Sequence, residues 1–163
     1  MASNNETRLH LVQGLHFVGT TPSGHAIGLD SNVGAAAPVA ATPMELQLVA
    51  LGGCTAMDTI AILRKMRQDV TAYDVRLSAE RAPEHPRVYT SIVMTHEVRG
   101  HGISEANVHR AIQLTMTRYC PVFAMLYPRV DIGERYEITD ENTGATVTGD
   151  VSMEAGEAAA AAP

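Results

Sequence analysis

The chain has 163 residues, enough for one domain of average size or one subunit of an oligomer. Its formal charge is −6 and its densest basic stretch is Arg64-Lys65-Met66-Arg67, which excludes nucleic acid as the main partner. Hydrophobic residues make up 45% of it, yet with no Trp, two Phe and eight Met the core must rest on small-residue helix packing and subunit burial.

Residues 1–7 are polar and are expected to be a flexible N-terminus. They lack the basic and apolar regions of a secretory signal, and no stretch approaches an 18-residue apolar run. Neither export nor a membrane span is therefore expected, and a cytoplasmic, reducing compartment is.

Leu9-His10-Leu11-Val12 and Leu15-His16-Phe17-Val18 alternate around Gly14 and predict a hairpin. Thr21-Pro22-Ser23-Gly24 is a turn, and residues 25–30 form a third strand. Residues 31–41, rich in Ala, Gly and Pro, form a loop. A long helix then begins. Thr42 is its N-cap, Pro43 suits the first helical position, and Glu45 completes a Thr-x-x-Glu capping box. Leu46, Val49, Gly53, Met57, Ile60 and Ala61 follow at three- and four-residue spacing, to about Met66.

Two strands come next, carried by Val75, Leu77 and Ala79 and, after the Pro83–Pro86 turn, by Val88, Thr90, Ile92, Met94 and Val98. Ser104 caps a second helix with Val108, Ala111, Ile112 and Thr115 on one face. Residues 121–126 form a short helix and 130–138 a final strand. Residues 141–163, ending in an Ala run, are expected to be a low-complexity, disordered tail. The order of elements predicts one α+β domain over residues 8–140, with helices packed on an antiparallel or mixed sheet.

The two cysteines carry the chemistry. Cys120 in Tyr119-Cys120-Pro121 precedes a proline at the first helical position, so it becomes the N-cap, facing unpaired N–H groups that favour a thiolate. Cys54 follows Gly52-Gly53, two glycines that each cost a helix about 1 kcal/mol relative to alanine. They let a substrate or another backbone approach the sulfur. Taken alone, each cysteine also reads as an ordinary buried residue. Glu45 lies nine positions before Cys54. On a straight helix it points to the opposite face, so it helps Cys54 only through a bend or across a subunit boundary. Its capping role needs neither.

Pro43-Met44-Glu45-Leu46, Leu51-Gly52-Gly53-Cys54-Thr55 and Tyr119-Cys120-Pro121 together resemble the OsmC/Ohr family of osmotically inducible and organic-hydroperoxide-resistance proteins, in its Gly-Gly-Cys-Thr subgroup. The resemblance runs from about residue 8 to 138. It implies a swapped homodimer, with sheets of both chains wrapped around two long central helices. It also implies that Cys54 is the peroxidatic cysteine of a thiol peroxidase and Cys120 the resolving one. The substrate would be an organic hydroperoxide and the reductant an external dithiol, a lipoyl protein in the best-known members, with no bound cofactor. Family enzymes add a Glu and an Arg to activate the thiolate. Here Met44 stands where the Glu usually follows the proline, leaving Glu45 as the candidate. His16 stands in the place of the Arg, with His25 and Arg8 as alternatives. A histidine is only partly charged at neutral pH, which predicts weaker or pH-dependent activation.

Seven histidines invite a metal reading, but His96, His101 and His109 form no paired spacing with either thiol, and most histidines read as surface or turn residues. No metal site is expected. The displaced Glu and missing Arg support a second reading: a dimeric, non-enzymatic binding or stress protein that kept the fold.

Overall fold

The structure, a computed structural model, describes residues 5–31, 33, 37–127 and 129–152. Residues 1–4 of the expected flexible N-terminus and 153–163 of the expected tail lie outside the described residues. The chain divides into two compact units, Met1–Val49 and Ala50–Pro163.

The first unit holds a three-stranded antiparallel sheet of β1 (Arg8–Gln13), β2 (His16–Thr20) and β3 (Ala26–Leu29). The expected hairpin forms because Gly14 supplies the positive φ of 58° that its tight turn needs. Thr21 closes the next turn, its N–H donating to the His25 carbonyl and its carbonyl accepting from Gly24.

Helix α1 (Pro43–Lys65) starts at the expected capping box. Glu45 N–H donates to Thr42 Oγ1 at 3.3 Å, while the Thr42 N–H and hydroxyl donate to Glu45 Oε2 at 2.7 and 2.9 Å. The buried stripe differs from the expected one. Leu51, Gly52, Thr55, Thr59 and Leu63 are buried, whereas Val49 and Met57 are 65% and 68% exposed. The helix is apolar on more than one face, so spacing alone does not choose between faces. For the same reason the absence of a long apolar run is corrected: α1 is long and apolar enough to cross a membrane by length and composition. Buried Thr55 and Thr59 on its inner stripe are the mark of a helix packed on protein.

The second unit is built on a four-stranded sheet in the order β4 (Asp69–Arg81), β5 (Tyr89–His101), β6 (Asp131–Asp140), β7 (Thr146–Val151). The pairs β4–β5 and β6–β7 are antiparallel, and β5–β6 is parallel, which makes the sheet mixed. A parallel pair needs a crossover. It consists of α2 (Glu105–Leu114), a π-helical turn (Thr115–Tyr119) and α3 (Pro121–Leu126). Ser104 caps α2 as expected, accepting from Asn107 N–H, and Val108, Ala111, Ile112 and Thr115 are all buried.

Strand β7 corrects the expectation of a disordered tail from residue 141. Its register on β6 runs from Thr139↔Thr146 to Glu134↔Val151. It is an edge strand with five of six residues unburied, so it carries no strong inward hydrophobic pattern to announce it. The core of this unit gathers Leu51, Leu63, Ile92, Met94, Val98, Val108, Ala111, Ile112 and Phe123, all fully buried. That core holds the crossover against the sheet and so places Cys120.

Candidate active site

Cys120 sits between two helical segments for local reasons. Its N–H bonds back to the Thr115 carbonyl at 2.9 Å, closing the π-helical turn. Pro121 has no N–H to pair and fits the first position of α3. The Cys120 sulfur then accepts from Phe123 N–H at 3.3 Å, the N-cap arrangement expected. A single π turn inside a helical run is a common marker of functional sites.

The same turn aims Cys120 at Cys54. The Cys120 thiol donates to the Cys54 sulfur at 2.7 Å, and both cysteines are free thiols. Cys54 is half-buried and Cys120 only 2% exposed. Gly53 beside Cys54 faces open space among the described residues: a Cβ there would meet nothing within 4 Å. Gly52 instead faces Leu77, whose Cδ1 would lie 2.7 Å from such a Cβ. One glycine lets the helix settle on β4. The other leaves the approach beside Cys54 uncovered.

The expected thiolate at Cys120 is corrected. Burial pushes its thiol up to about 12, and the hydrogen bond to Cys54 raises it further; the Phe123 and Val122 N–H groups only partly oppose this. A six-residue helix is a weak counterweight to desolvation. Cys120 therefore holds its proton firmly and donates it toward the Cys54 sulfur.

The other residues singled out from the sequence belong to the first unit. Glu45 is held below the usual carboxylate range by the Thr42 N–H and then by the Thr42 hydroxyl. His16 opens β2 and lines a cavity of about 530 Å³ with Val12, Leu15, Asp30 and Val39. Asp30 is a carboxylate there, lowered by N–H groups of Val39 and Ser31 and to a lesser degree by the field of His16. His25 is exposed, its Nδ1 3.0 Å from the Ser23 hydroxyl, and Arg8 is 3.9 Å from Glu6 at the surface. The structure brings together Cys54 and Cys120; each of the remaining candidates has its described partners within its own unit.

Two polar residues inside the second unit went unread. His96 and Glu134 are buried on neighbouring strands, His96 Nε2 lying 2.8 Å from Glu134 Oε2. Tyr73 Oη is 2.5 Å from His96 Nδ1. Most histidines are surface or turn residues as expected, and His96 is the buried exception. The signal was present: His96 follows Ile92 and Met94 in the inward period of β5, and Glu134 lies between Ile132 and Tyr136 in that of β6. Burial pushes the Glu134 carboxyl above its usual range, with His96 partly offsetting it. Among the described residues no group of three or more His, Cys, Asp or Glu stands together as a metal cluster.

Comparison with known proteins agrees with this architecture. The family model described as OsmC-like protein matches residues 34–135. Protein YhfA of Escherichia coli (strain K12) is 43% identical over 133 residues, covering 82% of this chain and 97% of YhfA. A hypothetical protein from Aquifex aeolicus VF5 is similar in structure, with a TM-score of 0.74 at 28% identity over 84% of this chain and 97% of its own. An organic hydroperoxide resistance protein OsmC from Legionella pneumophila shares the fold, with a TM-score of 0.61 at 11% identity over 85% of this chain and 98% of its own. The match over most of the chain, on a structure that pairs Cys54 with Cys120, places this protein in the OsmC-like family.

Proposed function

We propose that this protein is a thiol-dependent peroxidase acting on organic hydroperoxides. The observation that carries the reading is the pair of free thiols 2.7 Å apart, with Cys120 donating its hydrogen to Cys54. The accepting sulfur is half-buried beside the open flank at Gly53, whereas the donor is covered. That asymmetry suits attack by Cys54 and resolution by Cys120.

In the first step the Cys54 thiolate attacks the distal oxygen of ROOH and the O–O bond breaks. The alkoxide takes a proton and leaves as ROH, and Cys54 becomes a sulfenic acid. In the second step Cys120 gives up its proton and its sulfur attacks Cys54. Water leaves and the Cys54–Cys120 disulfide forms. An external dithiol, such as a lipoyl protein, supplies two electrons and two protons to restore both thiols. The same reading includes a cytoplasmic location and a homodimer. Helix α1 supports the dimer, because only 28% of its most apolar 18-residue window is buried within one chain. Glu45 and His16 are the candidates for holding the Cys54 thiolate, with His25 and Arg8 as alternatives to His16.

The engagement of both Thr42 donors by Glu45 favours a second reading, a binding or stress protein with little turnover. Steady-state reduction of cumene hydroperoxide with dihydrolipoamide separates the two. The peroxidase turns over well above a Cys54→Ser control, and Cys120→Ser stops at over-oxidised Cys54 in mass spectra. Equal rates for the wild type and Cys54→Ser would overturn the enzyme reading.

A further inference from the structure

Helix α1 and the crossover are joined by two hydrogen-bonded pairs. One is the sulfur pair, Cys54 with Cys120 at 2.7 Å. The other is a hydroxyl pair, Thr59 Oγ1 with Thr115 Oγ1 at 3.1 Å. Thr59 comes five residues after Cys54 and Thr115 five residues before Cys120, so the second pair lies about 7.5 Å farther along α1. Both threonines are sealed, Thr59 being 0% and Thr115 1% exposed. Bulk water therefore cannot replace a lost partner at either hydroxyl.

The π turn needs an outside anchor. At its start the helical ladder is crowded, with the Thr115 N–H shared between the carbonyls of Ala111 and Ile112. The Thr115 hydroxyl donates to the Ala111 carbonyl as well, at 3.0 Å. Thr117 repeats the pattern, its hydroxyl donating to the Gln113 carbonyl at 2.8 Å. Hydroxyls inserted into the ladder in this way loosen and bend a helix. The turn's own bonds then admit more than one shape, and the side chains packed on it choose among them. Met116 and Phe123 seat it in the core, but apolar burial is non-directional. The contact of Thr115 with Thr59 is directional. It also belongs to the residue whose carbonyl accepts the Cys120 N–H at 2.9 Å.

We propose that Thr59 and Thr115 are positioning residues, whose hydrogen bond fixes the π turn against α1 and so sets how readily Cys120 closes on Cys54. This rests on the redox-pair reading of the two thiols. In the step concerned, the Cys120 thiol gives up its proton and its sulfur attacks the sulfur of the Cys54 sulfenic acid. The S–O bond breaks, the S–S bond forms, and the hydroxyl leaves with that proton as water. The sulfurs must shorten from 2.7 Å to a bond of about 2.05 Å along one line of attack. A rotation of the turn carries Cys120 off that line. Neither threonine touches peroxide, so the first attack by Cys54 does not pass through them.

The test removes one hydroxyl at nearly constant shape. Thr59→Val and Thr115→Val each break the pair, whereas Thr59→Ser and Thr115→Ser keep it. Each variant is mixed with hydrogen peroxide, and sulfenic acid and disulfide are followed separately by acid quench and mass spectrometry. Either valine variant is expected to slow disulfide closure about fivefold, equivalent to about 1 kcal/mol, the usual worth of one such bond. The double valine variant slows it no further, because both changes break the same contact. Sulfenic acid formation, measured in the Cys120→Ser background, stays within about twofold. The serine variants close at the wild-type rate. Urea midpoints check folding, and alanine takes the place of any valine that does not fold. Wild-type closure in the valine variants, additive slowing in the double variant, or equal slowing of both steps would overturn the positioning role. Oxidised dithiothreitol separates that result from a failure of the underlying reading. If the wild type forms no Cys54–Cys120 disulfide with it or with peroxide, the redox pair fails and the positioning role with it. If the disulfide forms with both and the valine variants close normally, the positioning role alone falls.

Discussion

Cys120 donates its thiol hydrogen to the sulfur of Cys54 across 2.7 Å, so the two sulfurs take different parts in one contact. Burial is what separates them. Cys120 is covered and pushed up to about 12, and Cys54 is partly exposed on the helix that carries the glycine pair.

Alkylation reads this asymmetry directly. Between pH 7 and 9 the Cys120 thiol stays protonated, so iodoacetamide should label Cys54 first, by roughly tenfold or more in rate. Peptide mass spectrometry at short times checks it. Prior labelling of Cys120 would show that the buried member has been misassigned.

The α1 cap separates stability from chemistry. Thr42→Ala removes the acceptor for Glu45 N–H and should cost about 1 kcal/mol in urea denaturation. Glu45→Ala should destabilise in the same direction. Slower oxidation of Cys54 in Glu45→Ala than in Thr42→Ala would mark a role for Glu45 beyond the cap. Equal oxidation rates would confine it to the cap.

Glu134 gives stability a pH dependence with a definite sign. Burial raises its carboxyl above the ordinary 4.5, so the native state holds this proton more tightly than the unfolded chain does. The contribution is complete below about pH 4.5 and is lost as pH climbs toward the raised native value. Glu45, Asp30 and Asp140 are lowered instead, and their contribution is lost on the acid side. Glu134→Gln should therefore flatten the fall of the urea midpoint between pH 5 and 8 while leaving the acid limb in place. An unchanged slope above pH 5 would exclude Glu134 as its source.

Gly149 of β7 makes room for Tyr136. A Cβ at this position would fall on the Tyr136 hydroxyl and ring, and Tyr136 Oη donates to Glu105 Oε1 at 2.6 Å. Gly149→Ala should cost about 1–3 kcal/mol through overpacking. Tyr136→Phe should cost about 1 kcal/mol for the lost hydrogen bond. Thermal melts of the single and double variants check the coupling: once the hydroxyl is gone, the alanine should cost less.

What could be read in advance was local. The Thr42–Glu45 box, the Ser104 cap and the Cys120 N-cap each involve residues three positions apart, and all three form as expected. The thiol pairing came from family resemblance rather than from spacing. What could not be read depends on partners distant in sequence. The apolar surface of α1 offers two stripes, and only the sheet beneath it selects Leu51, Thr55, Thr59 and Leu63. His96 and Glu134 occupy inward positions of their strands, but a charged side chain there reads as an interruption until its partner is known. Strand β7 has little inward pattern and exists because β6 offers it an edge.

The parallel register of β5 on β6 also orders events in time. Ser91↔Asp131 through Gly100↔Asp140 pair across the whole intervening crossover, and long-range parallel pairing is slow to form. A chain emerging from the ribosome carries Cys54 long before β6 exists to clamp the segment bearing Cys120. Because the segment bearing Cys120 lies in the crossover between these two strands, ready formation of the Cys54–Cys120 disulfide should serve as a chemical report that the sheet has closed.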